Sequence, residues 1–235
     1  MINAKERALL RELARQVDEI GRLPVMDERR ELWRAHNDLE PTRPLIAVFP
    51  EGSWRELLPA DALACENEEA RSIEQDLRSR IYYHTHIQDD AVVERTFKVR
   101  KQIDGLPGGT IDLSIDWGIP IQRRAATVEG GSYGFVPVIE DMEDLKKIRT
   151  PQLVYREKET LEQLARMQDL FGDLLDVQLC GVDYVAFHIM YYYTHLRGLE
   201  QMMYDIYDEP ELFHALVGIL ETGYQSIVDQ CENQG

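Results

Sequence analysis

Several polar residues of this chain have types and spacings that could support acid–base catalysis or substrate binding. Asp116 ends an alternating run in the segment SIDWGIP, just before Gly118. A carboxylate among Ile115, Trp117 and Ile119 would lose hydration, which raises its pKa and suits acid–base chemistry. Asp116 is therefore a catalytic candidate, and Trp117 is a candidate for substrate contact. The alternative is an aspartate that forms a turn, with Trp117 packed in the core.

A second polar group falls on one predicted helix near the N-terminus, in the segment RELWRAHND. Arg30 and Arg34 are four residues apart, so they would share a helix face and could bind carboxylates of a substrate. His36 and Asn37 would add hydrogen-bonding groups beside them. The alternative is a solvated helix face with a hydrogen-bonded Asn37.

A third group follows a predicted strand over residues 174–182. His188 and the tyrosines at 191–193 come after this strand; in a parallel barrel they would lie at the face that carries active sites. His188 is a catalytic candidate, and Tyr191 is a candidate for the wall of an aromatic pocket. The alternative is a tyrosine-rich helix start that packs against its neighbours, and Cys180 is more simply a small core residue.

His84 and His86 are two residues apart in YYHTHIQDD. On a strand they would face the same side and could bind zinc. No third ligand is identifiable, and two histidines in an aromatic loop are the favoured interpretation. We assign no metal ligand to this chain.

The composition limits the partners and the compartment. The chain has 235 residues, with 43 acidic and 26 basic side chains and a net charge of -17, which argues against nucleic acid or an anionic membrane as partner. The cysteines are few and widely separated, without a CxxC pair, so a reduced, cytoplasmic compartment is expected. No apolar run approaches the roughly 20 residues of a membrane span. The acidity does not select a substrate; a cationic partner protein is possible, but a solvated acidic surface is the commoner meaning.

Hydrophobic periodicity and capping signals predict the elements that must position these residues. We predict helices over about 3–21, 28–39, 66–80, 142–148, 160–171, from 196, and 208–230, and extended segments over 45–50, 91–99, 110–121 and 174–182. Residues 1–150 form a mixed α+β region in this interpretation, and residues 151–235 alternate helix, strand, helix and helix. The fold class is therefore α/β, with a boundary near residues 149–151.

The segment LRGLEQMMYDIYDEPELFHALVGIL, at residues 196–220, resembles uroporphyrinogen decarboxylase-like proteins just after their first barrel strand. The resemblance covers about residues 149–230 and is weaker over 32–120, where LWRAHNDLEPTRPLI and SIDWGIP are similar to longer, corrinoid-linked members. It implies a (β/α)8 TIM barrel. Because eight strands are needed and one convincing strand follows residue 151, we expect residues 151–235 to be the start of a truncated barrel. Residues 1–150 would be its N-terminal extension, and exposed apolar faces would need a partner or a homo-oligomer.

The resemblance implies one of two activities. One branch of the superfamily decarboxylates uroporphyrinogen, and its paired arginines lie in a glycine-containing RQAGRY loop; here RELWRAHND lacks that glycine. The other branch transfers methyl groups between a small methylated substrate or thiol and a corrinoid, and we favour this methyltransferase. Asp116 loosely matches the pocket carboxylate of the family, and it or His188 would assist the leaving group.

The resemblance also implies cofactors outside this segment. Relatives bind zinc through a His-x-Cys and a later cysteine, and this chain has no such motif, so the zinc ligands are expected C-terminal to it. Cobalamin would be carried by a partner corrinoid protein. The alternatives are a uroporphyrinogen-type decarboxylase, a lyase, and a non-catalytic binding or docking module whose acidic surface meets a partner.

Overall fold

The computed structural model describes residues 2–87, 89–106, 115–128, 131, 134–182 and 187–233. Helices dominate these residues, short strands accompany them, and the expected mixed α/β class is confirmed. The helices are α1 Ala4–Gly21, α2 Pro24–Asn37, α3 Trp54–Leu57, α4 Glu68–His86, α5 Glu157–Phe171, α6 Ile189–Arg197, α7 Leu199–Asp208 and α8 Pro210–Asn233. The strands are β1 Thr96–Arg100, β2 Ile103–Asp104, β3 Gln122–Arg124, β4 Gly134–Val136, β5 Val154–Tyr155 and β6 Asp176–Cys180.

Within the described residues the strands pair two by two. β2 lies antiparallel to β5, and β3 lies antiparallel to β4. β6 pairs with β1; the Asp176 N–H donates to the Arg95 carbonyl at 3.1 Å, and the Lys101 N–H donates to the Cys180 carbonyl at 2.8 Å. The start of β1 therefore lies beside the start of β6, and the two ends also lie together, so the two strands are parallel. The strand predicted over 174–182 is confirmed over Asp176–Cys180 alone, and none of these five residues is fully buried.

The chain forms two compact units. Unit 1 comprises Met1–Val99 and Glu162–Gln178, and unit 2 comprises Arg100–Leu161 and Leu179–Gly235. The division does not follow the expected boundary near residues 149–151, because most of α5 packs into unit 1. Met167, Leu170 and Phe171 join the same buried cluster as the apolar face of α1.

Unit 1 is organised by α1 and α4. Asn3 and Glu6 form the predicted capping box, in which Asn3 Oδ1 accepts from the Glu6 N–H at 3.0 Å. Glu6 Oε1 also accepts from the N–H groups of Glu66 and Asn67, both at 2.9 Å. These backbone donors, with Asn67 foremost, lower the pKa of Glu6. One carboxylate therefore orders both the start of α1 and the approach to α4.

Unit 2 is organised around Trp117 and three consecutive helices. α6, α7 and α8 pack on one another, and the Trp117 ring lies against Gly223 of α8. A Cβ atom added at Gly223 would fall 2.2 Å from the indole, so only glycine permits this approach. None of the described helices is both long and apolar enough to span a bilayer.

Several predicted elements differ from the structure. Residues 45–50 form no strand, and residues 46–49 are exposed. Instead Asp90 accepts from the Ile46 N–H at 2.9 Å and Asp89 accepts from the Val48 N–H at 3.0 Å. Side-chain carboxylates thus satisfy the backbone that a neighbouring strand would have paired. Residues 115–121 carry no strand, and the rest of the run predicted over 110–121 lies outside the described residues. Residues 142–148 hold only the 3-10 turn Asp144–Lys147.

Candidate functional site

The candidate site lies on α6 in unit 2. α6 begins after His188 and ends at Gly198, whose φ of +90° favours glycine. Five of its nine residues are buried. Its buried residues are Tyr192, Tyr193, His195, Leu196 and Arg197.

His195 is the most informative of these residues. Its side chain is 0% exposed, and its ring centroid lies 3.7 Å from those of both Phe135 and Tyr191. Within the described part of the chain, neither ring nitrogen has a hydrogen-bond partner. Buried polar groups are normally satisfied, so the two ring nitrogens of His195 are exceptional among the described residues.

The charge state of His195 follows from its surroundings. Burial, together with the positive charge of Arg123, lowers the pKa of His195 to about 4. The imidazole is therefore neutral at pH 7 and offers one N–H donor and one lone pair. It can donate a hydrogen bond to a ligand and accept one from it, but it is not protonated and so does not act as a general acid at that pH.

Trp117 extends the aromatic surroundings. Its ring meets Tyr192 and Tyr224 edge-on, at 5.5 and 5.6 Å between centroids. The Ile115 N–H donates to the Tyr192 hydroxyl at 3.1 Å, which fixes the segment that carries Trp117 to α6. The buried indole N–H has no acceptor in the ranges that the structure describes. We call His195, Trp117, Phe135, Tyr191 and Tyr192 the aromatic cluster.

A buried ion pair supports the aromatic cluster. Asp205 of α7 accepts from Arg197 at 2.7 and 2.9 Å and from the Tyr193 hydroxyl at 2.7 Å. Arg197 also donates to the Glu140 carbonyl at 2.6 Å. Burial and the bond to Asp205 raise the pKa of the Tyr193 phenol. The end of α6 is thereby held to α7 and to the segment before it.

Of the four candidates in unit 2, two are exposed to solvent and two lie in the aromatic cluster. Asp116 is exposed, so the burial expected for it is wrong; its carboxylate accepts from the Gly118 N–H at 2.7 Å, as the turn alternative predicts. His188 is also exposed, with its ring 6.4 Å from Tyr191. Tyr191 and Trp117 lie in the aromatic cluster, where Tyr191 contacts His195.

The candidates on α2 belong to unit 1. Arg30 donates to Glu94 at 3.0 and 3.2 Å and to Asp27 at 2.7 Å. Arg34 pairs with Glu31 in solvent. Both guanidinium groups are thus engaged by carboxylates of the chain itself. His36 packs edge-on against Trp33 at 5.7 Å between centroids, and Asn37 is the exposed last residue of α2.

His195, Arg197 and Asp205 are not among the candidates that the sequence predicts. The sequence predicts a helix from about residue 196, with a tyrosine-rich helix start as the alternative for residues 191–193, whereas α6 begins at Ile189. The available signal was the four-residue spacing between Tyr191 and His195, which places both on one helix face. Arg197 and Asp205 were visible as opposite charges eight residues apart in the segment RGLEQMMYD.

No three His, Cys, Asp or Glu side chains are grouped to hold a metal ion in the ranges described. His84 and His86 lie on α4 rather than on a strand, so a spacing of two residues directs them to different sides. His86 stacks on Tyr82 with 4.2 Å between centroids. The part of the chain that the structure describes therefore does not fit a zinc site.

Comparison of the chain with protein-family models, with curated proteins and with solved structures finds no match.

Proposed function

We propose that this chain belongs to a corrinoid-linked methyltransferase of the uroporphyrinogen decarboxylase-like superfamily, with its small methylated substrate bound at the aromatic cluster. In this proposal β6 and α6 belong to one β/α unit of a (β/α)8 barrel. The observation that carries the proposal is His195, a neutral and buried imidazole without a partner among the described residues. Such a group beside aromatic rings is typical of a small-molecule site.

The chemistry assigned to the cluster is orientation and stabilisation of a leaving group. A methyl group bonded to a cationic or electron-withdrawing heteroatom is electron-poor, and the faces of Phe135 and Tyr191 attract it. As the methyl group departs, its heteroatom keeps the bonding electron pair. The N–H of His195 can donate a hydrogen bond to that atom, and the low-polarity surroundings strengthen the bond.

A corrinoid held by a partner protein would supply the atom that accepts the methyl group. No step is assigned to zinc, because the described residues do not fit it. The leaving-group role expected of Asp116 or His188 passes to His195, since both of those side chains are exposed and His195 is enclosed.

The arginines of α2 favour methyl transfer over decarboxylation of a uroporphyrinogen. A substrate with several carboxylates needs cationic groups that are free to bind it. Arg30 is hydrogen-bonded to Glu94 and Asp27, and Arg34 is paired with Glu31. Binding of such a substrate would first have to break these pairs.

The test is a methyl-transfer assay with cob(I)alamin and a panel of methylated amines, thioethers and methoxyarenes. We expect methylcobalamin to form with at least one substrate, and His195→Ala to reduce the rate by about 100-fold or more, as removal of an oriented donor does. His214→Ala removes an exposed histidine of α8 and should keep the wild-type rate.

Other outcomes are equally informative. Loss of carbon dioxide from uroporphyrinogen would identify a decarboxylase instead. Substrate binding without turnover would favour a non-catalytic binding module. Equal rates for the wild type and His195→Ala would remove the aromatic cluster from the mechanism.

A further inference from the structure

The outer face of α7 is apolar, the reverse of an ordinary surface helix. Leu199, Met203, Ile206 and Tyr207 are 65%, 58%, 45% and 85% exposed. Their spacing of four, three and one residues places them on one stripe along the helix. The other side of α7 already packs inward, where Asp205 is fully buried and Met202 is partly buried. Rotation of the helix therefore cannot bury the stripe.

The stripe has an acidic border. Glu200 and Asp208 lie on α7 itself, and Glu209 and Glu211 follow at the start of α8; all are exposed. Within the described residues none of these carboxylates forms an ion pair. An apolar stripe with exposed acids around it is complementary to a surface that is apolar at its centre and basic at its edges.

We propose that α7 is the docking surface for a basic amphipathic helix of a partner protein. Helices of this kind bind through apolar side chains at a spacing of three to four residues, which matches the spacing of Leu199, Met203 and Ile206. Met203 can adapt its shape to the bound side chains, and Tyr207 is of the residue type that dominates binding energies. The proposal is independent of methyl transfer, because it uses no residue of the aromatic cluster.

The acidic border favours a basic helix over two other occupants, which are a second copy of the chain and an anionic lipid surface. A second copy of the chain would bring a further net charge of -17 and the same acidic border. An anionic lipid surface would be repelled in the same way. A basic helix is attracted by the acids and covers the apolar stripe at once.

The probe is a labelled peptide of leucine and lysine, about 18 residues or five helical turns long, with leucine at helical spacing. We expect it to bind with a micromolar Kd by fluorescence anisotropy, to gain helix on binding, and to bind more weakly as salt is raised. Leu199→Glu combined with Met203→Glu should weaken binding at least tenfold. Both side chains are more than half exposed, so the variant should keep its circular dichroism spectrum.

Two controls separate the stripe from general charge attraction. A peptide of the same composition in scrambled order keeps its charge but has no apolar face, and it should bind at least tenfold more weakly. Leu161→Glu alters a leucine of α5 that is 50% exposed and should leave the Kd unchanged. Equal binding of both peptides, or an unchanged Kd in the double variant, would overturn the proposal.

Sedimentation measurements examine the other occupants. A wild-type dimer that the Leu199→Glu, Met203→Glu variant dissociates would assign the stripe to a second copy. Pelleting with phosphatidylcholine vesicles that is lost in the same variant would assign it to a membrane. Either result would replace the basic helix as the occupant.

Discussion

Asp205 carries its charge in the interior of unit 2, where an unpaired carboxylate would be severely destabilising. It is 0% exposed and accepts from Arg197, Tyr193 and Gln201. Burial would raise the pKa of Asp205, but these hydrogen bonds outweigh burial and lower it. The charge is therefore stable only as long as its donors stay in place. In this way a single residue holds α6, and with it His195, against α7.

Removal of that carboxylate should destabilise unit 2 strongly. In Asp205→Ala the Arg197 guanidinium would stay buried without its counter-ion, and we expect a loss of about 3–5 kcal/mol in the free energy of unfolding. Urea denaturation measures this loss. Glu31→Ala breaks the Arg34–Glu31 pair, whose side chains are 67% and 70% exposed, and should stay within about 0.5 kcal/mol of the wild type. Similar losses in both variants would show that Asp205 has no special role.

At the scale of elements, α8 contains two glycines in opposite environments. Gly223 lies against the Trp117 ring, with only 2.2 Å for an added Cβ, whereas an added Cβ at Gly218 meets no atom within 4 Å. Glycine in a helix costs stability relative to alanine because its unfolded backbone is freer. The two positions should therefore respond in opposite directions to the same substitution.

We expect Gly218→Ala to raise the free energy of unfolding by about 0.5–1 kcal/mol. Gly223→Ala should lower it by about 1–3 kcal/mol, because the rigid indole of Trp117 must shift within a packed core. Thermal unfolding of the two variants and the wild type measures both effects. A gain in stability from Gly223→Ala would mean that the Trp117–α8 contact is not formed.

The helices were the most predictable elements, because their signals are local. The Asn3–Glu6 capping box set the start of α1, and the apolar periodicity of α4 and α5 was present in each segment alone. The prediction of a strand over 45–50 was wrong. It rested on an apolar run, which is typical of buried strands. In the structure its N–H groups bond to the distant carboxylates of Asp89 and Asp90, which no local pattern shows.

The aromatic cluster was only partly predictable for a similar reason. Tyr191 and Trp117 were selected by residue type and do lie in it. His195 depends on Phe135, which is distant in sequence, and Arg197 depends on the carbonyl of Glu140. Contacts between such distant residues arise from the tertiary fold.

At the scale of the whole molecule, acid should lower the free energy of unfolding over two successive pH ranges. Carboxylates with a lowered folded pKa stabilise it above their unfolded values near 4, and that stability is lost as pH falls further. Asp173, whose pKa the hydrogen bond from Arg11 lowers to about 2, is one of them; the bond from Arg43 lowers the pKa of Asp90 still more. The loss of stability that comes from His195 begins at a higher pH than the loss from the carboxylates, because protonation of its buried ring is unfavourable.

The loss of stability that His195 causes at the higher pH can be isolated by substitution. The pKa of His195 is 6.5 in the unfolded chain and about 4 in the folded one, so stability is complete above 6.5 and falls as the pH approaches 4. Between pH 7 and 4.5 the wild type should lose about 2–3 kcal/mol from this residue. Urea unfolding at several pH values should show that loss in the wild type and in His214→Gln, and its absence in His195→Gln. Parallel curves for all three proteins would place the His195 ring in contact with solvent and contradict its burial.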